Sequence, residues 1–343
     1  MPSDHALLVR AVLDEYGELA SRGMSRYLEG LRFPELAGLL ADYPSRGGRL
    51  LRASLCIASA RAFGASVREA IQSAISLELM HNAFLVHDDV EDESEERRGR
   101  PALHVLHGVP IAINAGDGLA VMSLEPLIHN RLILGPRLAF RVFGEAQRMA
   151  CEAIEGQTLE LKWRDENHVE LRAEDYLRMV LKKTCWYTTI YPCRVGALIG
   201  SRDTLELDHF VRFGFFLGAA FQIQDDLLNL TGDHRRYGKE LLGDIREGKR
   251  TLMLIHLLRV APDAIRRRLR QLLALPRRER GDEQVRWIRR VMDENGSIDY
   301  ARQTANALAG AAAFEFKGAF ARAGASRDRD FIEALPYWML ERA

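Results

Sequence analysis

The chain has 343 residues, with 48 basic and 48 acidic side chains and 47% hydrophobic residues. That even balance gives no reason to expect nucleic acid or an anionic membrane as partner, so charge has to be read locally. The length is large for one ordinary domain but suits a single large helical one.

The four cysteines, Cys56, Cys151, Cys185 and Cys193, form no CxxC pair. Neither a zinc site nor a disulfide framework is expected, and a reducing cytoplasm fits best. MPSDHALLVR at the N-terminus lacks a basic stretch followed by an apolar region, so no secretory signal is expected. No apolar run is expected to reach the roughly 18–20 residues that span a bilayer, and no transmembrane segment is predicted. The reading is a soluble, cytoplasmic protein.

Helical periodicity dominates along the chain. Helices are predicted over about 5–30 and 48–64. From Val67 to Asp92, Ser66 and Glu69 stand in capping-box spacing, and Ala70, Ala74, Leu77 and His81 share one stripe. Further helices are predicted over 110–130, 137–164, 174–200 and 205–230, the last preceded by the cap candidates Asp203 and Thr204. The remainder are predicted over 249–259, 262–274, 280–294, 298–323 and 328–341. Pro44-Ser45-Arg46-Gly47-Gly48, Gly99-Arg100-Pro101 and Gly232-Asp233 punctuate them. Gly214, Gly218, Ala219 and Ala220 suggest close helix approach. No low-complexity linker or fixed-period repeat interrupts the chain. Residues 1–343 therefore read as one all-α domain, a large helical bundle.

Chemistry concentrates on two of these helices. Asp88 and Asp92 are four apart at the end of the 67–92 helix and project from one face. Like charges so placed repel, unless a divalent cation joins them; Mg²⁺ commonly bridges one or two carboxylates to substrate phosphates. A solvated acidic helix end is the competing explanation, because Glu93, Glu95 and Glu96 follow. The second cluster weakens it. Gln222, Asp225, Asp226 and Asn229 form one stripe in a helix that is otherwise apolar from Phe213 to Phe221. Carboxylates in such a setting are costly unless paired or metal-bound. A diphosphate could bridge ions held between the two helices.

Cationic groups recur beside the acids. Arg97-Arg98-Gly99-Arg100 follows the first cluster, where guanidinium forks can bind phosphate oxygens. Gly47-Gly48-Arg49-Leu50-Leu51-Arg52 puts a glycine pair before a predicted helix start and two arginines. Lys182-Lys183-Thr184, Gly238-Lys239 and Gly248-Lys249-Arg250-Thr251 add point charges. Each cluster alone is more often plain surface.

Together these motifs closely resemble the trans-isoprenyl diphosphate synthase (polyprenyl synthetase) family. Asp88 to His104 fits the first aspartate-rich motif, DDxxDxxxxRRGxPxxH, at every fixed position, and Phe221 to Asn229 looks like the second, FQxxDDxxD. Gly238-Lys239, Gly243-Asp244 through Thr251, Lys183-Thr184 and Ile113-Asn114-Ala115-Gly116-Asp117 follow the family's pattern. The likeness runs from about residue 47 to the C-terminus. It implies a helical fold around a central apolar cavity and a homodimer.

The resemblance also implies roles. Asp88 and Asp92 would bind Mg²⁺ ions from one helix, Asp225 and Asp226 from the other. Arg97, Lys183, Thr184, Gln222, Lys239 and Lys249 would hold the allylic diphosphate. Gly48, Arg49, Arg52, His81 and Arg98 would receive isopentenyl diphosphate. Asp88, Asp92, Arg97, Lys183, Gln222 and Asp225 are the expected catalytic set. Ala83 and Phe84, beneath Asp88, fall at the family's chain-length positions and suggest a product like that of geranylgeranyl diphosphate synthases, with farnesyl or longer-chain synthases as alternatives.

Two departures stand out. Arg49 and Ala53 occupy positions that usually hold Lys and Pro in GGKxxRP. Asn229 stands where the second motif usually ends in Asp; an amide oxygen could still bind Mg²⁺, with less charge, and Asn229→Asp is expected to keep activity. A class I terpene cyclase is the competing function. It would need an NSE-type motif, which the spacing of Asn229, Asp233 and Tyr237 does not provide.

Overall fold

The computed structural model describes residues 4–232 and 240–341. The chain opens with α1 (Asp4–Glu29), α2 (Pro34–Ser45), α3 (Leu51–Ala62) and α4 (Val67–Glu91). A tiny hairpin precedes α5 (Leu103–His107), α6 (Val109–Met122), α7 (Leu124–Leu134) and α8 (Pro136–Asp165). Then come α9 (Ala173–Val180), a π-helical segment (Leu181–Ile190), α10 (Tyr191–Gly200) and α11 (His209–Thr231). The bundle finishes with α12 (Gly243–Glu247), α13 (Leu252–Val260), α14 (Asp263–Leu273), α15 (Asp282–Glu294), α16 (Ser297–Ala319) and α17 (Arg327–Leu340). The all-α expectation holds.

Two helices organise the interior. In α4 the Glu69 carboxylate accepts from the Ser66 N–H and hydroxyl, each at 2.8 Å, so the predicted cap forms. Ala70, Ala74, Leu77 and His81 are buried as one stripe, which turns α4 inward against α1, α3, α6 and α7. The second helix, α11, packs on α16, α17 and the π segment. At Gly218 a Cβ would come within 2.6 Å of Thr189 Oγ1, so the expected close approach is found.

The π segment matters because it carries Lys183 and Thr184. Such wide turns alter side-chain direction locally and are frequent at functional sites. From the opposite side, Gly156 of α8 presses on it so closely that a Cβ would lie 2.1 Å from the Lys183 nitrogen. Any side chain at Gly156 would push the lysine backbone away.

Three features differ from expectation. Residues 34–45 form α2, with Pro34 in its first turn and Pro44 in its last, so Pro44-Ser45 closes a helix instead of only separating two. Second, Glu96–Arg97 pairs antiparallel with Arg100–Pro101 around Arg98 (φ 55°) and Gly99 (φ 72°). Two positive φ values at the turn are the hairpin geometry that matches strand twist. Third, the 110–130 helix extends from Val109 to Leu134 with a local break at Ser123. With an 18-residue window of mean hydropathy 1.3, this stretch is long and apolar enough to cross a bilayer by length and composition alone, and 39% of that window is buried. The expectation of no such stretch is corrected. Asp117 and Glu125 interrupt the apolar run without lowering its average enough. Its inner residues Ala112, Ala115 and Leu119 are core. Outside, Val121, Ile128 and Leu132 are exposed, as are Phe140 and Ile154 of α8.

Candidate active site

A cavity of about 790 Å³ lies among α3, α4, α8, the π segment, α11 and the loop before α13. Gly48, Arg49, Arg52, His81, Ala83, Phe84, Asp88, Arg97 and Arg98 line one side. Lys183, Thr184, Gln222, Asp225, Asp226 and Lys249 line the other. Of the expected site residues, Asp92 sits behind this surface, and Lys239 lies outside the described residues.

The three aspartates at the end of α4 have different surroundings. Asp88 faces the cavity, accepts from Lys183 Nζ at 3.2 Å and lies 3.6 Å from Arg97 Nη2. Lys183 also donates to Glu160 of α8. Burial alone would lower the Lys183 ammonium, but Asp88 and Glu160 outweigh it and hold the lysine protonated. Asp89 turns away and is fully buried. Arg97 donates to it through Nε, at 2.9 and 3.1 Å, and through Nη2. The Tyr43 hydroxyl donates to it at 2.6 Å. Two of the three Arg97 nitrogens are thus spent on Asp89, which limits the phosphate-holding role expected of this arginine. Asp92 is buried between Arg164, whose Nη1 donates to Oδ1 at 2.7 Å, and Lys249. Lys249 Nζ stands 2.6 Å from Oδ2, a charge contact without hydrogen-bond alignment. Burial pushes the Asp92 carboxyl up, but Lys249, Lys183 and Arg164 together hold it below the usual range.

On α11 the side chains form a relay. Thr184 donates to Gln222 Oε1 at 2.9 Å, and Gln222 Nε2 donates to Asp226 Oδ1 at 2.7 Å. The Tyr176 hydroxyl donates to Asp226 Oδ2 at 2.8 Å. Both Asp226 oxygens are therefore engaged, unlike those of a carboxylate reserved for metal. Burial pushes Asp226 up to about 7, against the pull of Gln222 and Tyr176. Asp225, one residue earlier, lines the cavity directly.

The cationic end is built by α3, α4 and the hairpin. Arg98 lies against Gly48 and donates to the Tyr43 carbonyl at 3.1 Å. Burial, together with Arg97, brings Arg98 down to about 10. Arg52 donates to Thr188 at 3.0 Å and lies over the Tyr187 ring. His81 stacks on the same ring; burial, then Arg52 and Arg98, push it well below its ordinary value, so it is neutral. Arg52 Nε and His81 Nδ1 are buried without a hydrogen-bond partner. Several cations and two orphaned nitrogens around one pocket suit an anion. The Ala53 departure also has a reason. Its N–H donates to the buried Glu78 carboxylate at 3.0 Å, a bond proline could not make.

Phe84 lies edge-on to the same Tyr187 ring, and Ala83 is buried beside it. Asn229 does not face the site. Its Nδ2 donates to the Glu240 carbonyl and its Oδ1 accepts from the Asp244 N–H, each at 3.2 Å. The expectation that Asn229 could serve a metal is corrected: its amide ties α11 to the segment leading to Lys249. An aspartate there would set a carboxylate against the Glu240 carbonyl and lose a donor. Asn229→Asp is now expected to cost about 1–3 kcal/mol, read as a lower urea midpoint. An unchanged midpoint would show that this tie carries no stability.

Glu160, Arg164, Tyr43, Glu78 and Tyr176 were not picked out from the sequence. Each meets its partner across 23 to 72 positions of chain, so no local spacing signals them. Among the described residues, no three His, Cys, Asp or Glu side chains gather closely enough to hold an ion themselves. The hard oxygens of Asp88 and Asp225 and the Oδ2 of Asp92, ion-paired with Lys249 but without an aligned hydrogen bond, still fit Mg²⁺, which usually takes few carboxylates and completes its shell with phosphate and water.

Residues 34–292 match the polyprenyl synthetase family. A short chain isoprenyl diphosphate synthase of Methanothermobacter thermautotrophicus is 32% identical over 298 residues, 87% of this chain and 88% of that protein. The solved geranylgeranyl pyrophosphate synthetase of Pyrococcus horikoshii shares the fold at TM-score 0.84 and 29% identity, covering 98% of both chains. Polyprenyl synthase of Caulobacter crescentus, solved with calcium and isoprenyl diphosphate, has TM-score 0.86 at 25% identity over 100% of both chains. An all-α fold is what these solved structures share with this chain. The chain belongs to the polyprenyl synthetase family and is a prenyltransferase.

Proposed function

We propose that this prenyltransferase joins an allylic diphosphate head to tail to isopentenyl diphosphate, with Mg²⁺, and that its product is geranylgeranyl diphosphate. One observation carries the reading: Asp88 and Asp225, on different helices, line a single cavity whose walls carry both cationic and apolar side chains.

When bound, Mg²⁺ supplies positive charge to the leaving diphosphate. Lys183 and Lys249, now on carboxylates, are the ammonium groups that would turn to phosphate oxygens. Arg49, Arg52, Arg98 and neutral His81 hold isopentenyl diphosphate at the other end. The allylic carbon–oxygen bond breaks, the isopentenyl double bond supplies the electron pair for the new carbon–carbon bond, and a proton leaves to the departing diphosphate. Cations fixed where negative charge develops stabilise the transition state more than the ground state. Phe84, Met179, Tyr187 and Phe221 line the chamber and keep water from the allylic cation. Incubation of pure protein with isopentenyl diphosphate, each allylic primer and Mg²⁺ tests this. Absence of any elongated product sinks the reading, and a cyclised product would favour a terpene cyclase.

Phe84 sets the depth of the chamber in this reading, with Ala83 leaving room beside it. Phe84→Ala is expected to shift products toward longer chains, since each further buried methylene contributes about 0.8 kcal/mol. The check is chromatographic sizing of dephosphorylated products. An unchanged distribution from an active variant removes Phe84 from that role.

The exposed apolar side chains Val121, Ile128, Leu132, Phe140 and Ile154 support a homodimer through α6, α7 and α8. The four free cysteines support a cytoplasmic setting.

A further inference from the structure

Asp92 stands just past the end of α4, with its side chain only 1% exposed, and two cations from different elements divide its oxygens. Arg164 Nη1 donates to Oδ1 at 2.7 Å, while its Nη2 donates to the Glu91 carbonyl, also at 2.7 Å. Glu91 is the last residue of α4, where carbonyls lack helical partners. One planar guanidinium thus locks a carboxylate and a helix end into a single unit. Arg164 itself is held near the end of the thirty-residue helix α8.

Oδ2 is treated differently. It meets Lys249 Nζ without hydrogen-bond alignment, and the same ammonium lies 3.0 Å from Glu247 Oε2 and 3.9 Å from Asp244 Oδ1. Lys249 belongs to the loop between α12 and α13. An ammonium on a loop, shared among three carboxylates, is the exchangeable partner, whereas the two-pronged fork is the fixed one.

We propose that Arg164 is a positioning residue that fixes Asp92 through Oδ1, so that Oδ2 alone exchanges Lys249 for a divalent cation. The proposal rests on the Mg²⁺-dependent reading above. Arg164 does not line the cavity; it acts through Asp92.

The test is Mn²⁺ binding, followed by electron paramagnetic resonance, with inorganic diphosphate present. It uses the full chain and the variants Arg164→Gln and Arg164→Lys. Loss of such an outer partner is expected to raise the Mn²⁺ concentration at half-saturation by about 10-fold or more in Arg164→Gln. Arg164→Lys restores the charge but cannot bridge Oδ1 and the Glu91 carbonyl, so its value falls between wild type and Arg164→Gln. The KM for isopentenyl diphosphate, bound at the other end, stays within about twofold in both. A purely structural arginine would lower the urea midpoint and leave Mn²⁺ half-saturation unchanged. Half-saturation within about twofold of wild type in both variants, or tighter metal binding, overturns the proposal. Arg164→Lys decides alone should Arg164→Gln fail to fold. Should wild type show no diphosphate-dependent Mn²⁺ binding, the Mg²⁺ reading falls and the proposal with it.

Discussion

Asp88→Ala and Asp225→Ala are each expected to lower condensation by about 10²–10³-fold, the usual effect of removing one group that stabilises developing charge. Stability should change little. Asp88 is partly exposed, and its loss leaves Lys183 still paired with Glu160. Asp225 is half-buried at the cavity wall, where water can replace a truncated carboxylate. Initial rates at saturating substrates and Mg²⁺, beside urea denaturation of the same preparations, make the check. Near-native turnover in either variant would end the assignment of two facing carboxylate helices.

Much of this was legible because helical spacing and local chemistry agree. The 67–92 and 205–230 patterns placed acids on stripes of two apolar helices, and both stripes reach one cavity. What the sequence concealed were partners distant in the chain. The Arg164–Asp92 pair spans 72 positions and Tyr176–Asp226 spans 50, and no periodicity links such residues. Asn229 shows the opposite error. It lies on the correct stripe, but its amide is taken by the backbone of the segment at Glu240 and Asp244, which no helical spacing reveals. The hairpin escaped notice because two-residue strands carry no alternation, and α2 because its closing proline reads as a break.

The adjacent pair Asp88-Asp89 offers the sharpest separation of chemistry from folding. On a helix, neighbouring residues point about 100° apart, and of these two Asp88 lines the cavity while Asp89 does not. Asp89 is fully buried against Arg97 and Tyr43, and the Tyr43 hydroxyl in turn accepts from the Leu103 N–H at 3.2 Å. This network fastens the hairpin and α5 to α4, and thereby sets Arg98 at the cavity rim. Asp89→Ala leaves a buried guanidinium without its carboxylate, a change that typically costs about 3–5 kcal/mol. The expected result is a markedly lower urea midpoint, with the opposite ranking from Asp88→Ala. Asp89→Asn keeps an acceptor for Arg97 but removes the charge, so it should fall between. Tyr43→Phe loses a single hydrogen bond, about 1 kcal/mol. Should Asp89→Ala keep the wild-type midpoint while losing diphosphate-dependent metal binding, Asp89 would be a ligand and the division between the two aspartates would be wrong.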